Sequence, residues 1–132
     1  MVGPNAQRWW RVLARLDRSR AEAFRQDRPV RLRQVYARGS SLLRRDRAVL
    51  VGYLRHGVRL SRVRLDVAAL RIVHREPGAV TVRVVERLAS AVAVLPDGDR
   101  VALPVDAPTR RVLLIVHTIG GWRLAAVRRL AG

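Results

Sequence analysis

The sequence predicts an α+β domain, three helices followed by a bent antiparallel sheet. Three observations carry this. Apolar residues recur at steps of three and four up to about residue 56 and at steps of two from Val58 onward. Gly57 stands at the changeover, where a left-handed helix cap is needed. The alternation then flips phase inside one strand near Ala68-Ala69, which requires a bulge or sharp bend. A strand bent in this way can wrap a sheet around the helices.

The first helix is expected over residues 7–25. Trp10, Leu13, Asp17, Ala21 and Phe24 form its stripe, widened by Trp9, Val12 and Leu16, and Arg18 and Glu22 are spaced as an i,i+4 ion pair on the wet side. Asp27-Arg28-Pro29 reads as a turn into a short helix over 29–36, because proline suits a first helical turn. Gly39-Ser40-Ser41 breaks that helix, and a serine can cap the next, over 42–56, with Leu42, Val49, Leu50, Tyr53 and Leu54 on its apolar side.

In the first strand Val63, Leu65 and Val67 oppose Arg62, Arg64 and Asp66, so Asp66 belongs to a surface pair. Glu76-Pro77-Gly78 turns into a second strand with Val80, Val82, Val84 and Leu88 on one face, continuing through Val92 and Val94. Pro96-Asp97-Gly98-Asp99 is a hairpin signal before a short edge strand over 100–103. The fourth strand, 110–118, is apolar on both faces, so its outer face needs a second layer. Gly120-Gly121 turns into a last strand over 122–129.

The chain has 132 residues and is expected to be a single domain, with 1–6 as a disordered tail. All 27 basic residues are arginine; ten acids leave a net charge of +17. The excess is lopsided, +13 over residues 1–64 and +4 over 65–132. A polyanion partner is one explanation. The other is a GC-rich genome in which arginine codons replace those for lysine, although this does not account for the scarcity of acids. Arg8, Arg11, Arg15 and Arg18 form a basic stripe on the first helix; with Arg44 and Arg45 they are the candidates for contacting nucleic acid. The same spacing also describes an ordinary solvated helix face.

The absence of cysteine excludes disulfides, thiolate metal sites and a cysteine nucleophile. No run approaches the roughly 18 apolar residues that span a bilayer, and the start lacks a hydrophobic signal core. A soluble, cytoplasmic protein is expected, with a cell-envelope location open if an anchor precedes the chain.

Four ordered patterns carry a family resemblance. They are Trp9-Trp10 with Leu16-Asp17 and Ala23-Phe24; Val35-Tyr36 broken at Gly39-Ser40; the bent strand after Gly57; and Gly121-Trp122-Arg123-Leu124. Together they resemble the nuclear transport factor 2-like superfamily, and within it uncharacterised actinobacterial members. The resemblance implies a cone: helices in the concave face of a four- to five-stranded antiparallel sheet, a pocket at the open end, and frequent homodimers through the outer sheet face. That superfamily mixes ketosteroid isomerases and polyketide cyclases with transport adaptors and non-catalytic modules, so the fold alone does not select a reaction.

An isomerase or cyclase in such a cone needs a carboxylate or histidine facing the pocket. Asp17 and Glu86 are acids on apolar faces and are the catalytic candidates. Against them stands simple neutralisation by Arg20, Arg83 or Arg87. Trp9, Trp10, Tyr36, Tyr53, His117 and Trp122 complete the set of pocket candidates; aromatics at these spacings are otherwise core. No metal-ligand spacing, phosphate loop or nucleophile elbow is present, and no metal or cofactor is expected. The tyrosine and paired aspartates of ketosteroid isomerases have no matching motif here. The preferred expectation is therefore a non-catalytic module binding a protein partner or small ligand, with polyanion binding and isomerase or cyclase activity as alternatives.

Overall fold

A computed structural model describes residues 4–105 and 107–130. The first helix, α1, runs Pro4–Arg25. It begins three residues earlier than expected because proline is accommodated in a first turn. Residues 4–6 are therefore helical rather than part of a tail, and residues 1–3 lie outside the described residues. Its buried line is Trp9, Leu13, Leu16, Ala23 and Phe24. Trp10, Asp17 and Ala21, expected at the centre of the stripe, lie at its edge and are only half-buried. The rotation puts Asp17 at the seam between core and solvent. Glu22 pairs with Arg25 at 2.6 Å rather than with Arg18.

The expected second α-helix is a 3-10 helix, Pro29–Gln34. It stops before Tyr36 because β5 takes the backbone groups that a longer helix would use. The Leu124 N–H donates to the Val35 carbonyl at 2.9 Å, and the Ala37 N–H donates to the Leu124 carbonyl at 2.8 Å. Tyr36 is thereby paired in parallel with Leu124 of β5, Gly121–Arg129. The helix α2 spans Ser41–Arg55, and the Ser40 hydroxyl accepts from the Leu43 N–H at 3.1 Å as its cap.

The sheet has strands β1 (Arg59–Glu76), β2 (Ala79–Val94), β3 (Arg100–Ala102), β4 (Thr109–Thr118) and β5, in the order β1-β2-β4-β5 with β3 paired to β2. All its pairings are antiparallel. The β1–β2 hairpin is long and shifts register at four points, one of them between Val67 and Ala69, where the sequence places a bend. The shift between Arg64 and Leu65 skips Ala89 on β2. Beyond it Ala91 and Ala93, not Val92 and Val94, face inward. A one-residue insertion inverts every later side chain.

Two apolar clusters fill the concave side. One joins Leu16, Phe24, Leu32 and Leu50 with Leu60 and Ala93. The other joins Trp9 and Leu13 to Val80, Val82, Leu113 and Ile115. Full burial of a side chain such as Phe24 or Leu32 contributes about 2 kcal/mol each.

Gly57 has φ +67°, and a Cβ there would lie 3.1 Å from Pro96 Cγ. Gly57→Ala is expected to lower stability by about 1–2 kcal/mol, the left-handed penalty of an L-residue. Gly52, inside α2 with open space around it, is expected to gain about 0.5–1 kcal/mol on replacement by alanine. Urea unfolding of the two variants checks the opposite signs.

Candidate functional site

A cavity of about 280 Å³ opens between α1 and the inner sheet face. Its apolar wall includes Leu13 and Leu16 of α1, Leu65 and Leu88 of the hairpin, and Leu113 and Val127 beyond it. Its polar groups are Asp17, Arg20, Tyr36, Glu86 and Arg111. Strand alternation delivers two of them. Glu86 continues the inward line Val80, Val82, Val84, and Arg111 continues Leu113 and Ile115.

Glu86 is buried, and its Oε1 accepts from Arg111 at 2.8 Å. Arg83 and Arg87, its expected partners, are exposed on the opposite face of β2, as their odd spacing from Glu86 requires. Arg20 does not neutralise Asp17. It donates to both oxygens of Asp46, at 2.6 and 2.9 Å, and the Tyr36 hydroxyl donates to Asp46 Oδ2 at 2.6 Å. Burial opposes the Arg20 charge, but the Asp46 bond more than offsets this and raises its pKa. Burial also pushes the Tyr36 phenol up. Among the described residues the Asp17 carboxyl has no salt-bridge or side-chain hydrogen-bond partner. Burial first, and the Glu86 charge second, push it from the ordinary 3.8 up to about 7, with Arg20 pulling the other way. A carboxyl so poised is part acid and part carboxylate at neutrality.

Of the pocket residues read from the sequence, the structure brings together Asp17, Tyr36 and Glu86. It takes five elsewhere. Trp9 is buried edge-on against Trp122, with centroids 4.7 Å apart, and His117 stands exposed against the outer edge of Trp122 at 4.9 Å. Tyr53 packs on Phe24 in the core. Trp10 lines a groove between α1 and β1, where Asp17 is also reached from outside. Arg111 escaped the sequence reading, and Arg20 was read as a partner of the pocket acids and not as a lining residue paired with Asp46, although Leu13, Leu16, Arg20 and Phe24 follow helical spacing and Arg111 alternates with Leu113. Both signals were present, but arginine on an apolar stripe reads as a solvated residue.

Arg8, Arg11, Arg15 and Arg18 are exposed on α1 as expected. Arg8 also stacks over Trp9 at 5.0 Å and Trp122 at 5.8 Å, so part of that stripe is packing. Arg44 is bound to the Gly39 carbonyl at 3.0 Å, and Arg45 is exposed. Asp66 pairs with Arg64 at 3.1 Å on the surface.

The outer face of β4 is less apolar than its sequence implies. Val112, Leu114 and Val116 are half-buried. Register sets Arg71 beside Arg83, Arg83 beside Val112 and Val112 beside Arg128. Arg71, Arg83 and Arg128 thus sit among the half-buried apolar residues of this face. Among the described residues no helix is long and apolar enough to cross a membrane.

No protein-family model matches the sequence, and no curated protein matches it significantly. Solved structures match its fold. The intermembrane space region of the chloroplast protein ARC6 aligns over 96% of this chain and 97% of its own, with TM-score 0.65 and 15% identity. The association domain of C. elegans CaMKII aligns over 98% and 100%, with TM-score 0.57 and 11% identity. A nuclear transport factor 2-like superfamily protein from Salmonella enterica serovar Typhimurium aligns over 92% and 89%, with TM-score 0.54 and 13% identity. The chain therefore has the nuclear transport factor 2-like fold, helices followed by a bent five-stranded antiparallel sheet.

The Asp17 carboxyl fixes a pH dependence. The folded chain holds its proton up to about pH 7, whereas the unfolded chain releases it near the ordinary 3.8. The folded state binds more protons in that window, so this contribution to stability is full below about pH 4 and is lost as pH rises through 7. Asp17→Asn should melt with the parent at about pH 3.5 and above it at about pH 8.5. Equal melting temperatures at the higher pH would show that ionised Asp17 carries no penalty.

Proposed function

We propose that the cone cavity binds a small, uncharged or weakly acidic organic molecule, and that the chain is a non-catalytic binding module of this fold. The observation that supports this is the lining. An apolar wall surrounds a cavity of about 280 Å³ whose two guanidiniums are already engaged, Arg20 by Asp46 and Arg111 by Glu86. Little positive charge is left for a strong anion. Of these polar side chains, Asp17 is the one with no bonded partner among the described residues, and it can meet a ligand as hydrogen-bond donor when protonated and acceptor when ionised.

A phenol such as 4-nitrophenol fits that chemistry and reports its own ionisation by absorbance. Saturable binding is expected near pH 6, abolished by Leu88→Trp, which fills the cavity, while the variant still melts cooperatively. Equal binding by Leu88→Trp would locate the ligand elsewhere and defeat the proposal.

A second reading, proton transfer at carbon, is favoured by the pKa of Asp17 alone, since a base near 7 suits neutral pH. The Tyr36 hydroxyl, which such a reaction would recruit as donor to the forming enolate, is committed to Asp46 at 2.6 Å. This is why binding without turnover is preferred. Deuterium uptake at the γ-carbon of cyclohex-2-enone, followed by proton NMR and lost in Asp17→Asn, would reverse the preference; uptake no faster than in buffer would uphold it.

A further inference from the structure

A second hollow, of about 460 Å³, shares Tyr36 with the cone cavity and is otherwise lined by Arg33, Arg38, Leu43 and Arg47. The sequence builds it from three short pieces. Arg33 ends the 3-10 helix. Arg38 precedes Gly39, whose φ of +79° turns the chain into the Ser40 cap. Leu43 and Arg47 are four apart on α2 and so share one of its faces.

Three arginine side chains line this one concavity. Among the described residues none of the three makes a salt bridge or donates a side-chain hydrogen bond. Asp46, adjacent to Arg47 in sequence, is held by Arg20 and Tyr36. The backbone beneath them is fixed. Residues Val35 and Ala37 are hydrogen-bonded to Leu124, and the Arg33 carbonyl accepts from Arg123 Nε at 3.2 Å. Uncompensated charge around one concavity on a fixed backbone suits an anion, whose binding must order only the arginine side chains. Tyr36 and Leu43 give the hollow an apolar part, which suits an organic body rather than a bare ion.

We propose that this hollow is a binding site for a small organic phosphate, a phosphomonoester on an aromatic or aliphatic body, distinct from the cone cavity with which it shares Tyr36. Arginine forks match phosphate oxygens in pairs, and three of them cover a terminal phosphate from several sides. A nucleic-acid backbone is the weaker fit. It needs charges set out along a surface, as on the exposed side of α1.

The test is titration calorimetry at low salt with phenyl phosphate, inorganic phosphate and a mixed-sequence DNA duplex. Phenyl phosphate should bind at least about fivefold more tightly than inorganic phosphate, as burial of a ring predicts. The Arg38→Ala, Arg47→Ala double variant should weaken it by about tenfold or more, while the same charge removed from α1 by Arg11→Ala with Arg15→Ala should change it less than about twofold. All four arginines are exposed, so both variants should retain the parent's melting temperature; if the first does not, Arg33→Ala replaces it with the same expected loss. Equal losses in the two double variants, equal affinity for the two phosphates, or binding of DNA alone would overturn the proposal.

Discussion

Much of this structure depends on the partner Arg20 takes. It lies on the same helix as Asp17, three residues away, yet it bonds both oxygens of Asp46 on α2. Tyr36 joins from the segment between the helices, so one carboxylate ties together α1, the bridge to β5 and α2. Removing Asp46 would leave a mostly buried guanidinium without its partner, an effect that commonly reaches about 3 kcal/mol. The same choice leaves Asp17 beside Glu86 without a guanidinium bonded to it. The structural ion pair and the perturbed carboxyl are two results of one pairing.

The β1–β2 hairpin supplies the second constraint. Straight strands of this length would present one continuous face, and the register shifts interrupt it. Above the bend the inner face meets Trp9 and Leu13; below it, Phe24 and Leu50. The cavity lies where these two packings meet, and Leu65 and Leu88, opposite each other in the register, both face it. A gap at that point follows from bending a sheet around a helix that does not bend with it at the same places.

The arginines divide by what they touch. Arg20 and Arg111 hold buried carboxylates, Arg8 covers two tryptophans, and Arg123 fastens the β5 edge through backbone carbonyls. Long stems and planar heads let arginine pack where lysine would not. Net charge therefore overstates what is available to a partner. The uncompensated remainder includes the α1 stripe, the outer sheet face and the hollow beside Tyr36.

The sequence by itself determined the order of elements, the helix stop at Gly57, the bend near Ala68 and the inward direction of Glu86. Each rests on neighbours within a few residues, through periodicity and backbone geometry. It also pointed to Asp17 as an acid on an apolar helix. Tertiary structure alone decided that Tyr36 leaves its helix to pair with Leu124, 88 residues away, that Val92 and Val94 turn outward, and that Trp9 and Trp122 pack on one another instead of lining the cavity. It also decided which arginine meets which acid. With 27 arginines and ten acids, local spacing permits many pairings, and the selection is made by the distances between elements that only packing sets.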